Sequence, residues 1–134
     1  MNAIKLLKKI NDDGFSELLQ AYVISLGDAE LAYRFAHECI HDANLEKLEA
    51  IILASENARL AYEFALLKNQ RGESVEKLQE LIINDLDAGL IILFAADVDG
   101  ADTEKIEEVI RLHCDKRYLN IFEAEMRLHQ KNLY

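Results

Sequence analysis

The chain has 134 residues, half of them apolar, which is enough for one domain with a continuous hydrophobic core. It contains no proline and only five glycines, a composition typical of helices joined by short turns. Residues 11–114 carry 22 acidic against 8 basic side chains, so direct binding to nucleic acid or to an anionic membrane is disfavoured. We expect neither a signal peptide nor a membrane span, and the two lone thiols, Cys39 and Cys114, favour a reducing, cytoplasmic location.

A four-fold repeat organises the chain. In each copy a helix-capping residue stands seven residues before a phenylalanine, in the pairs Asp28/Phe35, Asn57/Phe64, Asp87/Phe94 and Asp115/Phe122. The phenylalanines are 29, 30 and 28 residues apart, and a fixed period in this range is typical of helical repeat arrays. We therefore predict units over 1–27, 28–56, 57–86 and 87–114, followed by a C-terminal capping helix over 115–134.

Each unit is predicted to contain two helices, A and B. In the first unit, A is a short helix over Ile4–Asn11, and B covers about 16–26 with Ser16 as its cap. In the later units, A begins at the cap before the phenylalanine. Helix B begins at Asn44, Ser74 or Asp102, whose side-chain oxygens can accept hydrogen bonds from free backbone N–H groups. The last A helix is expected to run long, over about 116–131, with no B helix after it.

The B helices carry an apolar stripe. Counted back from each A cap, the positions nine, six and five residues earlier are all apolar or aromatic. They are Leu19/Tyr22/Val23, Leu48/Ile51/Ile52, Leu78/Leu81/Ile82 and Ile106/Val109/Ile110. Because this spacing places three side chains on one helix face, we predict that these twelve residues belong to the core.

Two sequence motifs recur along the chain. Ala29-x-Leu31-Ala32-Tyr33-x-Phe35-Ala36 returns as Ala58-x-Leu60-Ala61-Tyr62-x-Phe64-Ala65, and Gly100-Ala101-Asp102-x-Glu104-Lys105-Ile106-Glu107 returns less completely as Asn44-x-Glu46-Lys47-Leu48-Glu49. The motifs resemble the roughly 30-residue helical repeats of uncharacterised bacterial and phage-encoded proteins, and the paired helices are similar in kind to HEAT and armadillo repeats. The resemblance covers about residues 15–124. It implies an all-α, right-handed α-solenoid of about four hairpins with atypical capping helices at both ends, and it transfers no catalytic residue.

One face of the B helices is acidic. Stacked units would align seven carboxylates, here called the acidic ribbon: Glu46, Glu49, Glu76, Glu80, Glu104, Glu107 and Glu108. Beside them would run an apolar rail of Ile24, Leu53 and Ile83. We predict that this face binds a partner. Two alternatives stay open: glutamates in the first turn are also favoured by the helix dipole, and the rail could be part of the core.

The A helices offer a second candidate surface. The positions held by Arg34 and Glu63 in two units become Leu93 and Ile121 in the next two. The segment 90–94 is apolar on every side, which is typical of a buried helix. We expect the C-terminal helix to cover it, with self-association through Leu93 and Ile121 in a homodimer as the competing interpretation.

No catalytic signature is present. The chain has no glycine-rich phosphate loop, nucleophile elbow or serine-histidine-acid pattern, so we expect no enzyme, no catalytic residue and no cofactor. His37 and His41 could share a zinc ion with Asp42, but a lone pair of histidines is a weak signal. We therefore predict no metal site.

These observations lead to two functional hypotheses. The first is a non-enzymatic helical-repeat module that binds a basic protein partner along the acidic, partly apolar face. The alternative is a small acidic inhibitor of the phage type. It would mimic nucleic acid in the manner of an anti-CRISPR protein and block a host defence protein that binds nucleic acid. In both hypotheses the chain is a cytoplasmic protein that binds neither nucleic acid nor membrane directly.

Overall fold

The structure is a computed structural model, which describes residues 15–129 together with Lys5 and Lys8. Between residues 15 and 129 it contains eight α-helices and no strand. They are α1 (Glu17–Leu26), α2 (Ala29–Glu38), α3 (Leu45–Ser55), α4 (Ala58–Gln70), α5 (Glu76–Asp85), α6 (Ala88–Asp97), α7 (Thr103–His113) and α8 (Lys116–Leu128). Even-numbered helices correspond to the predicted A helices and odd-numbered ones to the B helices. The predicted helix Ile4–Asn11 and the end of the predicted C-terminal helix, from 130 onward, lie outside the described residues.

The predicted capping residues begin all four A helices. Side-chain oxygens of Asp28, Asn57 and Asp87 accept hydrogen bonds from the backbone N–H three residues later, at 3.0, 3.0 and 3.2 Å. Asp115 accepts from the N–H of Arg117 at 3.0 Å. These bonds satisfy N–H groups that have no partner inside the helix. The spacing of the caps in the sequence therefore determines where each A helix begins.

Three B helices also begin at a predicted cap. Ser16 caps α1, Asn44 caps α3 and Asp102 caps α7. The prediction of Ser74 as the cap of α5 is wrong by one residue, because Val75 holds the N-cap position and no side chain caps the helix. Val75 is buried in the core, so the turn before α5 packs toward the interior. Ser74 Oγ still accepts a hydrogen bond from the N–H of Glu76 at 3.3 Å.

The core follows the predicted stripes. The B-helix positions nine and five residues before each A cap are buried, and those six residues before it are half-buried against the core. The four repeat phenylalanines have no exposed surface: Phe35, Phe64, Phe94 and Phe122. Burying each of these rings contributes about 2–3 kcal/mol relative to exposing it. The repeated phenylalanine is therefore the largest regular contributor to the core.

The helices contact their near neighbours along the chain. Each contacts the next helix, and the A helices also contact one another in the series α2, α4, α6, α8. The B helices α1, α3 and α5 do the same. Beside the buried phenylalanines, the A helices bury alanines with no exposed surface, among them Ala32, Ala61 and Ala95. Small side chains there are compatible with a close approach of helix axes.

The helices are short. They are 10 to 13 residues long, whereas about 20 apolar residues are needed to span a bilayer. Within the described part of the chain, none is long and apolar enough to cross a membrane.

The turn from each B helix to the next A helix uses left-handed backbone. The residue before the A cap is Gly27, Glu56 or Leu86, with φ of 64°, 57° and 58°. Each donates its N–H to the carbonyl three residues earlier. Glycine adopts this conformation without steric cost, but a residue with a Cβ does not. Two of these three turns therefore carry backbone strain.

Replacing Leu86 by glycine should stabilise the protein by about 0.5–1 kcal/mol, because glycine relieves the left-handed strain. Leu86 is 48% exposed, so the substitution removes only part of a buried leucine's packing. The reverse change, Gly27→Ala, should cost about 1 kcal/mol; an added Cβ there meets nothing within 4 Å, so the cost comes from the backbone alone. Urea unfolding of both variants measures the two effects. A destabilised Leu86→Gly protein would show that this leucine contributes packing that outweighs its strain.

Candidate functional site

One column of the predicted acidic face has a structural role. It consists of the residues eight positions before each A cap: Gln20, Glu49, Gln79 and Glu107. Gln20 Oε1 accepts a hydrogen bond from the backbone N–H of Asn44 at 2.6 Å, and Gln79 Oε1 accepts from that of Asp102 at 2.8 Å. Both donors are the N-cap residues of the following B helix. Each glutamine therefore ties the start of the next B helix to its own helix.

The two carboxylates of this column are buried and paired within the chain. Glu49 accepts a hydrogen bond from Lys68 Nζ on α4 at 2.6 Å, and Glu107 accepts one from Arg111 at 2.5 Å, one helical turn later. Glu49 and Glu107 are 3% and 4% exposed. The prediction that they form part of an exposed ribbon is therefore corrected: these two side chains do not face solvent.

The other five ribbon residues lie on the surface. Glu46, Glu76, Glu80, Glu104 and Glu108 are exposed on α3, α5 and α7. Glu80 forms an ion pair with Lys105 across α5 and α7, and that hydrogen bond raises the pKa of the Lys105 amino group. A lysine also follows directly after each first-turn glutamate, at 47, 77 and 105. The first turns of α3, α5 and α7 therefore carry both charges.

Three ribbon residues meet around one open depression. Its volume is about 330 Å³, and it lies between the starts of α3 and α5. Its lining residues are Glu46, Glu49, Lys68, Glu73, Ser74, Glu76 and Lys77. The members of the ribbon on α7 do not line it. The depression contains four carboxylates and two amino groups, so the charge of its lining is negative on balance.

The apolar rail belongs largely to the core. Ile83 is buried, and Ile24 and Leu53 are half-buried and pack against the core cluster. At the equivalent position of α7 stands Arg111, which is exposed. The alternative interpretation of the rail, as core, therefore accounts for Ile83 and for most of the surface of the other two.

Leu93 and Ile121 are exposed on the A helices. Leu90, Ile91, Ile92 and Phe94 are buried, and α8 contacts α6, so the expected intramolecular cover accounts for four of the five residues of segment 90–94. Leu93 remains 44% exposed, and Ile121 on α8 is 46% exposed. These two side chains are thus available to a second copy or to a different partner.

A second charged region was missed by sequence analysis. It lies at the turns between B and A helices, where two open depressions of about 380 and 410 Å³ share Glu56 and Asp85 in their linings. The first is also lined by Asp87, Leu90 and Leu93. We call this region the turn-edge groove. The available signal in the sequence was Glu56, because the equivalent turn position of the preceding unit is Gly27.

A buried phenol links two A helices. Tyr62 on α4 donates a hydrogen bond to Asp97 Oδ2 on α6, with 2.5 Å between the oxygens. Burial, together with this hydrogen bond and the carboxylate charge, raises the pKa of Tyr62 to about 12. Tyr33, the equivalent residue of the preceding unit, is half-buried against the core. Both tyrosines therefore contribute to packing between helices.

The described residues contain no group of three or more His, Cys, Asp or Glu side chains placed to hold a metal ion. His37 lies on α2, but that helix ends at Glu38, so His41 falls outside the helix on which a shared zinc ion would need both histidines. Burial raises the pKa of the Cys39 and Cys114 thiols, which disfavours the thiolate that zinc requires.

Comparison with known proteins gives no match: none of the family models, curated proteins or solved structures compared with the chain resembles it significantly.

Removing Lys68 alone should be far more damaging than removing it together with its partner. Lys68→Val leaves the Glu49 carboxylate buried without a counterion, a defect that costs about 3–5 kcal/mol. The double variant Glu49→Gln/Lys68→Val recreates the pair Gln79/Val98 found at the same positions of the next unit, and it is close to the pair Gln20/Cys39 of the preceding one. It should lie within about 1 kcal/mol of the original chain. Urea unfolding of the complete double-mutant cycle measures this; equal losses in the single and double variants would contradict it.

The Tyr62 pair should make stability depend on pH in the alkaline range. In the unfolded chain a tyrosine has a pKa of about 10, so the folded state holds this proton more tightly. The resulting stabilisation is complete below about pH 10 and is lost as the pH rises through about 12. The titration of Tyr62 is measured by subtracting the phenolate absorbance of Tyr62→Phe from that of the original chain. This difference should rise with pH in a single step whose midpoint lies near pH 12. Asp97→Asn should lower that midpoint, and a midpoint near pH 10 in the original chain would be incompatible with the hydrogen bond.

Proposed function

We propose that the helical hairpins form a right-handed α-solenoid, similar in kind to HEAT and armadillo repeats, with atypical helices at its ends. Three observations support this arrangement. Contacts run from each helix to the next, along the A helices from α2 to α8, and along the B helices from α1 to α5. The caps of the A helices recur at the repeat period. Equivalent phenylalanines are buried in every unit from α2 to α8.

Within this arrangement, we infer that the chain is a non-enzymatic, cytoplasmic protein-binding module whose partner carries a basic surface. The observation that carries the proposal is the recurrence of an exposed glutamate at the same first-turn position of three successive B helices, at Glu46, Glu76 and Glu104. Their equivalent positions and the open depression between two of them favour a preformed, extended surface. The proposal includes no catalytic step, cofactor or metal.

The nucleic-acid mimic remains the second candidate, because residues 11–114 have 14 more acidic than basic side chains. Two features of the exposed face favour a protein-binding module instead. Lysines follow the first-turn glutamates, and Glu80 is already paired with Lys105. A phosphate mimic needs carboxylates that are not neutralised by neighbouring cations.

The test compares two variants with the same change in charge. The ribbon variant, Glu46→Gln/Glu76→Gln/Glu104→Gln, removes the three first-turn carboxylates. The control variant, Glu38→Gln/Asp42→Asn/Asp99→Asn, removes three exposed carboxylates elsewhere. Pull-downs from cell lysate at about 50 and 150 mM salt should recover a partner with the original chain and the control variant but lose most of it with the ribbon variant.

Salt and competitor distinguish the two hypotheses. A protein-binding module should keep its partner at the higher salt concentration, because buried apolar contacts are not screened. A nucleic-acid mimic should lose the partner steeply with salt and release it when DNA or RNA is added. Full recovery by the ribbon variant would remove this face as the binding surface. Circular dichroism of each variant confirms that the helices are retained.

A further inference from the structure

We propose that the turn-edge groove is a docking site for a positively charged amphipathic segment of a partner protein. Such a segment would place a large apolar side chain beside Leu90 and Leu93 and lysine or arginine side chains against Glu56, Asp85 and Asp87. This site lies at the helix turns, apart from the acidic ribbon, and does not depend on that face being functional.

The shape of the region fits an elongated ligand. One depression of about 380 Å³ lies between the starts of α4 and α6 and contains Asn57, Ala58, Leu90 and Leu93 in its lining. A second of about 410 Å³ lies between the ends of α3 and α5, with Leu53, Leu81 and Asn84 in its lining. Because Glu56 and Asp85 border both, the two depressions are neighbours along the turns.

The charges of the groove are left available. Within residues 15–129, no cation lies within ion-pair distance of Glu56 or Asp85, and Asp87 uses only its Oδ1 as a helix cap. Arg59, the basic residue of the lining, is engaged with Glu63 at 3.7 Å and lies 5.7 Å from the Tyr62 ring centre. The groove therefore offers three carboxylates to a cationic ligand beside an apolar floor.

The residues around the groove are locally unfavourable, which indicates a role outside the fold. Glu56 and Leu86 adopt left-handed backbone where Gly27 makes the equivalent turn. Glu56 and Asp85 place carboxylates at the C-terminal ends of α3 and α5, where the helix dipole disfavours negative charge. Leu86 also exposes almost half of its apolar surface. Local strain and mismatch of this kind concentrate at functional sites.

The neighbouring units provide an internal comparison for Leu93. At the second and sixth positions after the A cap, the earlier units carry ion pairs, Glu30 with Arg34 at 3.3 Å and Arg59 with Glu63 at 3.7 Å. The same positions of α6 hold Gly89 and Leu93. Because two other A helices carry a charged pair at these positions, packing of an A helix does not require an exposed leucine at position 93.

The negative charge of the turn-edge groove favours one kind of partner over another. In a two-fold dimer the same patch meets itself, so a homodimer through this groove would bring the carboxylates of both copies together. A basic partner segment instead gains favourable electrostatic attraction and buries Leu93. The observations therefore favour a different protein over a second copy.

The test uses a fluorescently labelled peptide of about 15 residues that places leucines on one helical face and lysines along its borders. The groove variant is Glu56→Gln/Asp85→Asn/Asp87→Asn, in which asparagine at 87 keeps the cap as Asn57 does. Measured by anisotropy at about 150 mM salt, it should bind the peptide about tenfold more weakly than the original chain. Leu93→Gln should weaken binding about fivefold. The control variant, Glu38→Gln/Asp42→Asn/Asp99→Asn, should change it less than twofold.

Four outcomes would overturn the proposal. Equal weakening by the groove and control variants would mean that the peptide follows net charge alone. Weakening by the ribbon variant but not the groove variant would place the peptide on the B-helix face, which would leave the proposed function standing and refute the groove. Sedimentation of the chain alone could show a dimer that Leu93→Gln dissociates, in which case the surface is a self-interface. Binding of a peptide with glutamate in place of lysine would equally contradict the charge argument.

Discussion

The fold depends on contacts between successive hairpins, and at two of them a glutamine side chain bonds the start of the next B helix. Gln20 accepts a hydrogen bond from the backbone N–H of Asn44, and Gln79 accepts one from that of Asp102. The bonded residues are 24 and 23 positions apart, so the contact tolerates a change in loop length between them. At these two positions a hydrogen-bond acceptor therefore links the start of one B helix to the preceding B helix.

The same column of residues also contains the buried charges. At Glu49 and Glu107 the buried side chain is a carboxylate, and a buried carboxylate needs a cation. In the other units the position of Lys68 is held by Cys39, Val98 and Met126. All three of these side chains are buried. Lys68 is therefore best understood as the counterion that Glu49 requires. Arg111 serves Glu107 from within the same helix. These acids contribute to the negative charge of the chain without contributing to its exposed surface.

The exposed acids divide into two surfaces with different character. On the B helices, first-turn glutamates are favoured by the helix dipole and are followed by lysines. Placing carboxylates on that face therefore costs little folding free energy. At the turns, Glu56 and Asp85 oppose the dipole, and Glu56 and Leu86 strain the backbone. Glycine at these two turns would avoid the backbone strain, as Gly27 does at the equivalent turn. Residues that lower stability at this edge of the protein indicate selection for a property other than stability. Binding is the property that the open, acidic and leucine-lined groove can supply.

The sequence by itself determined the helices, because capping and amphipathic spacing are local. The caps at Asp28, Asn57, Asp87 and Asp115 and the buried repeat phenylalanines all follow from residue type and period. Ser74 was misplaced because the burial of Val75, a tertiary effect, moved the start of its helix. Only the tertiary structure decided which members of one helix face are covered. Glu46 and Glu49 lie on the same side of α3, yet one is exposed and the other is buried against Lys68 of the next helix. Helical periodicity assigns a residue to a face, but the neighbouring helix and its loop determine how much of that face water reaches.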